Sequence, residues 1–358
     1  MISFARGAPS LDIVDVEGLQ AAAQSAFTSD PAGTTAYGTS IGYVPLRRWI
    51  AEQHGVPEAR VLVTNGSMQA DAFLFDALVQ PGDAVVVEKP TYDRTLLGLR
   101  QRGAEIHMVE LERDGIDVAG LRTLLQGGVE PKLAHIIPNF QNPAGYTLSR
   151  EKRVDLLALA REFGLTIFED DPYIEIRFSG QTLPTMLSLD GPDASVVYAS
   201  SFSKTVCPGI RVGYLVGPEE LIATIARNAT NTYISPNMVA QSIVYQFCAS
   251  GRIGAAVKTV SAALAERVQA LTAALSEHLP QARFQAPEGG YFMWVELPDG
   301  ADVHVLLERA AEHGVTFVKG TDFLLEGGEN TLRLAYSGVT PEQIGEGIRR
   351  LAAAYAEL

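Results

Sequence analysis

Residues 195–213 read S-V-V-Y-A-S-S-F-S-K-T-V-C-P-G-I-R-V-G. The apolar run Ser195–Ala199 ends in a cluster of hydroxyls, followed by Lys204, a Pro-Gly turn and Arg211. An unbroken apolar run of this length reads as a strand buried on both faces. Similar runs occur at Val61–Thr64, Ala84–Glu88, Glu105–Val109, Ala134–Pro138, Thr166–Glu169 and Val212–Val216. Helical periodicity separates them, at Ser67–Val79, Arg94–Arg102 and Arg150–Phe163 among others. Strands alternating with helices predict an α/β fold whose mostly parallel, seven-stranded sheet is flanked by helices. Ligands of such sheets usually sit at the carboxyl ends of the strands.

Outside this region the pattern changes. An extended start breaks at Gly7-Ala-Pro9 and becomes helical over Val16–Phe27; Pro45–Gln53 is a further helix. Gly7 either lets a ligand approach the backbone or simply turns the chain. Helices are expected at Pro218–Thr230, Pro236–Ser250 and Ile253–His278. Beyond Pro280, short strands (Tyr291–Leu297, Thr316–Val318, Thr331–Ala335) alternate with helices at Val303–His313 and Pro341–Glu357. The expected organisation is a large domain over residues 30–250 and a smaller α+β domain over 251–358, joined by 1–29.

The chain has 358 residues and a formal net charge of −14, with Lys and Arg scattered, which argues against a nucleic-acid partner. Two cysteines imply no disulfide framework and fit a reducing compartment. The amino terminus lacks the pattern of a signal peptide. No apolar run approaches the roughly 20 residues of a membrane helix. The chain reads as soluble and cytoplasmic. Its six histidines have no ligand spacing, so no metal is assigned.

The polar residues that could carry chemistry stand at strand ends. A lysine among small polar residues can condense with an aldehyde to form a Schiff base. Ser201, Ser203 and Arg211 suit phosphate oxygens. Lysine and phosphate donors together describe a pocket for pyridoxal phosphate, against the alternative of a solvated Lys and Arg on a loop. In Asn65-Gly66-Ser67-Met68-Gln69, Asn-Gly makes a turn and Ser67 is placed to cap a helix whose free N–H groups suit an anion. Tyr92 either stacks on a flat ring or packs in a core. Asn142, before Pro143, either donates to a phenolic oxygen or shapes a turn. Glu169-Asp170-Asp171 repel one another unless a cation is near, and a protonated pyridine nitrogen is a better candidate than a metal. Asp170 and Tyr173, three apart, could reach that nitrogen and the neighbouring ring oxygen. Arg333, in the apolar strand Asn330–Tyr336, needs either a substrate carboxylate or a structural salt bridge.

Taken in order, Y-G-x-x-x-G, N-G-S-x-Q, P-x-Y, N-P-x-G, D-D-P-Y, S-x-S-K with Arg seven later, E-G-G-Y-F and L-R-L resemble the fold-type I, class I/II pyridoxal phosphate aminotransferases over nearly the whole chain. Within that class the chain resembles the branch with the 2-aminoadipate and kynurenine aminotransferases and the aminotransferase-like domains of MocR-type regulators. The resemblance implies an aspartate aminotransferase-like fold, with Lys204 as Schiff-base lysine and proton shuttle and Asp170 on the pyridine nitrogen. Tyr173 and Asn142 would contact the ring hydroxyl, and Tyr92 would stack. Gly66, Ser67, Met68, Ser201, Ser203 and Arg211 would hold the phosphate. Arg333, Asn142 and Gly7 would meet the substrate. Tyr37 would reach a neighbouring subunit's phosphate, implying a homodimer with shared active sites, and Asn231–Asn237 would lie near that interface. The sequence departs from the family at Lys319-Gly320, where Pro-Gly is usual. Lys319 either faces the substrate pocket or decorates a surface loop. The short amino terminus implies a lid helix that is reduced or differently placed.

The expected reaction moves the amino group of an L-amino acid to a 2-oxo acid, 2-oxoglutarate by preference. One rival is other chemistry on the same cofactor: elimination, oxidation or cyclisation. A ligand-sensing domain without catalysis is a second; the acidic chain and its start in the catalytic-type fold speak against it.

Overall fold

The computed structural model describes residues 1–191 and 195–358. The buried apolar runs form one sheet, in the spatial order Val61–Thr64, Gly213–Val216, Val196–Ser201, Thr166–Asp170, Leu133–Ile136, Ala84–Lys89, Glu105–Glu112 and Gly115–Ile116. The sheet has eight strands rather than seven, because the chain after Glu112 turns back and pairs Leu111 with Ile116. Two residues are too few to leave a periodic signal. Gly213–Val216 runs antiparallel to both neighbours, and the five strands from Val196–Ser201 to Glu105–Glu112 are parallel. Val85, Val86 and Val87 are all fully buried, so helices cover both faces. Each such valine adds roughly 1.5–3 kcal/mol to the fold.

This order brings Thr64, Ile136, Asp170 and Ser201 to one edge, and Gly213 starts there. Gly213 is required at that point: a Cβ would lie 2.6 Å from the Ser67 nitrogen and 3.0 Å from the Ser200 carbonyl oxygen. The phosphate-side segments can therefore crowd together.

A second sheet is antiparallel, in the order Arg283–Phe284, Phe292–Glu296, Thr331–Ala335 and Val318–Lys319. Ile2–Ser3 pairs in parallel with Val315–Thr316, so the start of the chain is tied to this part. The 27-residue helix Arg252–His278 joins the two regions. Its Ala256 packs in the core of the large sheet, while Val260, Leu264 and Leu271 pack in the second core. Among the described residues, no helix is long and apolar enough to cross a membrane.

Candidate active site

The strand edge forms a pocket lined by Ser67, Met68, Tyr92, Asn142, Asp170, Tyr173, Ser201, Ser203, Lys204 and Arg211, residues singled out in sequence, together with Ile137 and Pro172. Lys204 follows the strand Val196–Ser201, and its Nζ donates to the Gly7 carbonyl at 2.9 Å. It lies 5.5 Å from the Tyr173 ring centre and 5.2 Å from that of Tyr291. Burial, and then the charges of Arg333 and Arg211, lower its pKa to about 8, against the opposing pull of Asp170. An ammonium is poorly solvated here, so the neutral amine is unusually accessible.

Asp170 ends the strand Thr166–Asp170 and is 4% exposed. Its Oδ2 lies 3.4 Å from Nε2 of the fully buried His135, and its Oδ1 has no hydrogen-bond partner. The neighbouring carboxyls point elsewhere, as strand alternation dictates. Glu169 accepts from the Met186 and Leu187 N–H groups, both at 2.8 Å. Asp171 accepts from Asn139 Nδ2 at 2.8 Å, and the Asn139 amide oxygen takes a bond from Arg153. A buried carboxylate with an oxygen left open toward a pocket fits a cationic ring nitrogen. Tyr173 is buried and its hydroxyl pushed well above the usual range, first by burial, so it stays a donor.

At the other end, Arg211 sits in the left-handed region (φ 52°) and donates from Nη1 to Ser203 Oγ at 3.0 Å. The Ser203 N–H in turn donates to Ser201 Oγ at 3.2 Å. Gly66 has φ 86°, and its missing side chain leaves room for the Arg211 guanidinium. The proposed Ser67 cap is corrected: Gly66 is the capping residue, Ser67 opens the helix Ser67–Leu78, and no side chain caps it. The N–H groups there keep their capacity for an anion. Hydroxyls, a guanidinium and a helix start converge as a phosphate requires.

Arg333 is 6% exposed and stacks between Phe292 and Phe323, 4.2 and 4.8 Å from their ring centres. It donates to Asn142 Oδ1 and to the Ala5 carbonyl, each at 2.8 Å, while its buried Nε has no partner. Among the described residues it makes no salt bridge, which removes the structural alternative. Lys319 pairs with Leu332, one residue out of step with Arg333, so it points away from this site. Its Nζ instead meets His304 Nδ1 at 3.2 Å and Asp322 at 3.7 Å, the surface-loop alternative. Tyr37 is 86% exposed and lies outside the pocket lining.

Sequence reasoning missed His135, Asp71 and, apart from Gly7, the strap Ala5–Ser10. His135 sits within the apolar run Leu133–Ile136 and gives no signal of a polar role. Asp71 is buried in the helix Ser67–Leu78, and burial, then Asp170, push its carboxyl well above the usual range. The strap lies across the site: Gly7 meets Lys204, Ala5 meets Arg333, and Ser337 Oγ donates to the Ala8 carbonyl. A short turn, Leu11–Ile13, follows the strap.

The profile of the family "Aminotransferase class I and II" matches residues 1–351. Aromatic-amino-acid aminotransferase 1 of Thermococcus litoralis is 32% identical, over 98% of this chain and 87% of the relative. The 2-aminoadipate transaminase of Thermus thermophilus is 33% identical, over 99% of this chain and 90% of the relative. The crystal structure of the alpha-aminoadipate aminotransferase of Thermus thermophilus, complexed with N-(5'-phosphopyridoxyl)-L-leucine, matches with a TM-score of 0.95. That match, at 33% identity, covers 100% of this chain and 92% of that one. The chain belongs to the aminotransferase class I and II family, has the aspartate aminotransferase-like fold, and transfers amino groups with pyridoxal phosphate.

Proposed function

We propose that Lys204 would condense with the cofactor's aldehyde and, once the amino acid's own amine has displaced it, would carry the proton of the α-carbon, while Asp170 would pair with the ring nitrogen. Pyridoxal phosphate, when bound, supplies that aldehyde and a cationic ring that withdraws the electron pair left by the departing proton. With its pKa lowered to about 8, the Lys204 amine is a usable base near neutrality. Asp170 meets the ring cation through its open Oδ1. Tyr173 donates to the ring oxygen, joined by the Asn142 amide, whose Oδ1 is already taken by Arg333. Tyr92 covers the ring face. Gly66, Ser67, Met68, Ser201, Ser203 and Arg211 hold the phosphate, and Arg333 with Asn142 and Gly7 receives the substrate carboxylate. The observation that carries this reading is that Lys204, Asp170, Tyr173, Asn142 and Arg211 line one pocket.

The amino donor is an L-amino acid and the acceptor a 2-oxo acid, with 2-oxoglutarate the expected one. The protein is proposed to work as a homodimer in the cytoplasm, with Tyr37 reaching the neighbouring subunit's phosphate. The exposed side chains of Tyr37 and Ile234 support that interface, as does the close approach of Gly38 to Met238 beside Asn237. Free Cys207 and Cys248 fit a reducing compartment. The division into residues 30–250 and 251–358 is supported by cores that largely follow it, with Ala256 in the first and Phe140, Tyr173 and Ile176 in the second as crossings; of the segment 1–29, Phe4 and Ile13 pack in the second core and Ala22 in the first.

The test is an absorbance spectrum of the purified protein while amino acids are added without any oxo acid, beginning with aromatic amino acids and 2-aminoadipate. A visible band that converts to the pyridoxamine form supports amino transfer and names the donor class. Release of an eliminated or oxidised product instead would support the other chemistries. No band after adding cofactor would overturn the site assignment.

A further inference from the structure

Next to the Lys204 pocket lies a second cavity, of about 420 Å³. The two share Pro172 and Ser201, and Thr205, the neighbour of Lys204, lines the second one. Small-molecule sites typically span about 300–1,000 Å³, so the space suits a compact organic ligand. The cavity has an aromatic lining of linked rings. His54 lies 4.8 Å from Tyr198 and 5.7 Å from Tyr214, centre to centre, and Phe202 lies 5.7 Å from Tyr214 and 6.1 Å from Trp49.

The charge of this cavity is one-sided. Burial pushes His54 down to about 4, and its Nε2 is engaged with the Tyr214 hydroxyl at 3.1 Å, so the ring is neutral at physiological pH. No lysine or arginine lines the cavity among the described residues. Its one carboxylate is Glu175, a solvent-exposed residue at the cavity's mouth with no hydrogen-bond or ion-pair partner among the described residues. Glu175 is near enough to act on Tyr214, whose hydroxyl is raised mainly by burial and further by that charge. Aromatic faces attract cations through their quadrupoles, and an unpaired carboxylate at the mouth adds a favourable charge.

We propose that this cavity is a binding site for a small organic ammonium compound. The cationic head sits between Glu175 and the rings of Trp49, His54 and Tyr214, and the apolar part lies against Leu187, Ile253 and Val257. Ser201 and Thr205 bracket Lys204 in sequence, so the occupant abuts the segment that carries the lysine.

Benzyltrimethylammonium is the probe, because its quaternary nitrogen cannot condense with the cofactor aldehyde. The chain has two tryptophans, so Trp294→Phe leaves Trp49 as the reporter. Titration of the cofactor-loaded W294F protein should quench its fluorescence saturably. Glu175→Gln in that background should weaken binding roughly two- to fivefold, and Val257→Phe, which fills the cavity without adding a tryptophan, should abolish it. Should W294F fail to fold, calorimetric titration of the protein with both tryptophans, alone and with E175Q or V257F, reads the same three affinities. Absence of saturable binding up to about 10 mM, or equal affinity in E175Q, overturns the proposal.

Discussion

At one end of the Lys204 pocket, Glu169, Asp170 and Asp171 put three carboxyls in succession at a strand end; at the other, Ser201, Ser203 and Arg211 gather donors around a turn. The acidic end is fully buried, and the protein satisfies it almost completely. Glu169 takes two backbone N–H groups, Asp171 takes the Asn139 amide, and Arg153 lies behind both. Asp171 Oδ1 also lacks a hydrogen-bond partner, but of the three only Asp170, on the opposite strand face, lines the pocket. At the donor end Ser201 closes its strand and Ser203 and Arg211 lie beyond it; the Ser201 hydroxyl accepts from the Ser203 N–H, the Ser203 hydroxyl accepts from Arg211, and the helix start is left uncapped. Buried charge must be compensated inside the fold, whereas a site for a dianionic phosphate can keep its donors for the ligand. The first arrangement ties chemistry to stability; the second separates them.

Lys204, midway between the ends, is the reference. Lys204→Ala should lower amino transfer on the order of 10⁵-fold and remove the covalent cofactor band, read by kinetics and absorbance. Wild-type rates in that variant would sink the assignment. Asp170→Asn should cost about 10³-fold in turnover while phosphate-end binding persists, so cofactor retention after gel filtration separates the two ends. Arg211→Lys should act in the opposite sense, weakening cofactor binding about tenfold with turnover recovered at saturating cofactor. Arg153→Met strips the two rear carboxyls of their cation and should destabilise the fold by about 3–5 kcal/mol in a denaturant titration, an effect absent from R211K.

The smallest effect is a pH dependence. Burial raises Glu169 from its ordinary 4.5 to about 7, opposed by its two backbone bonds. The folded state therefore binds its proton more tightly than the unfolded chain. That contribution is complete below pH 4.5 and lost as pH rises through 7. Glu169→Gln should flatten the fall of Tm over this window; an unchanged slope would assign the dependence to other carboxyls such as Glu88, which burial raises to about 8.

How much of this was legible follows from the same contrast. Ser201, Ser203, Lys204 and Arg211 lie within eleven residues, and turn residues announce themselves, so the donor end could be read directly. Asp170 and Tyr173 were visible as a strand end. The support behind Asp170 was not: His135 is 35 positions away inside the apolar run L-A-H-I, and nothing local distinguishes it from a core residue. Arg153 shows only a charge in an otherwise ordinary amphipathic helix, yet its side chain is wholly buried. The cap at Ser67 was misjudged because Gly66, with its positive φ and the guanidinium against it, fixes the helix start by packing. Strand and helix positions followed the apolar period closely, while the two-residue strand at Gly115–Ile116 lay below its reach.

The strap has a consequence for biosynthesis. Ala5 and Ala8 are translated more than 300 residues before their partners, Arg333 and Ser337. The walls around Lys204 are therefore made long before the proposed carboxylate end of the pocket. A nascent chain halted after the large sheet would carry the lysine but not the arginine proposed to seat a substrate acid, so on that proposal substrate selection waits for residues 333–337.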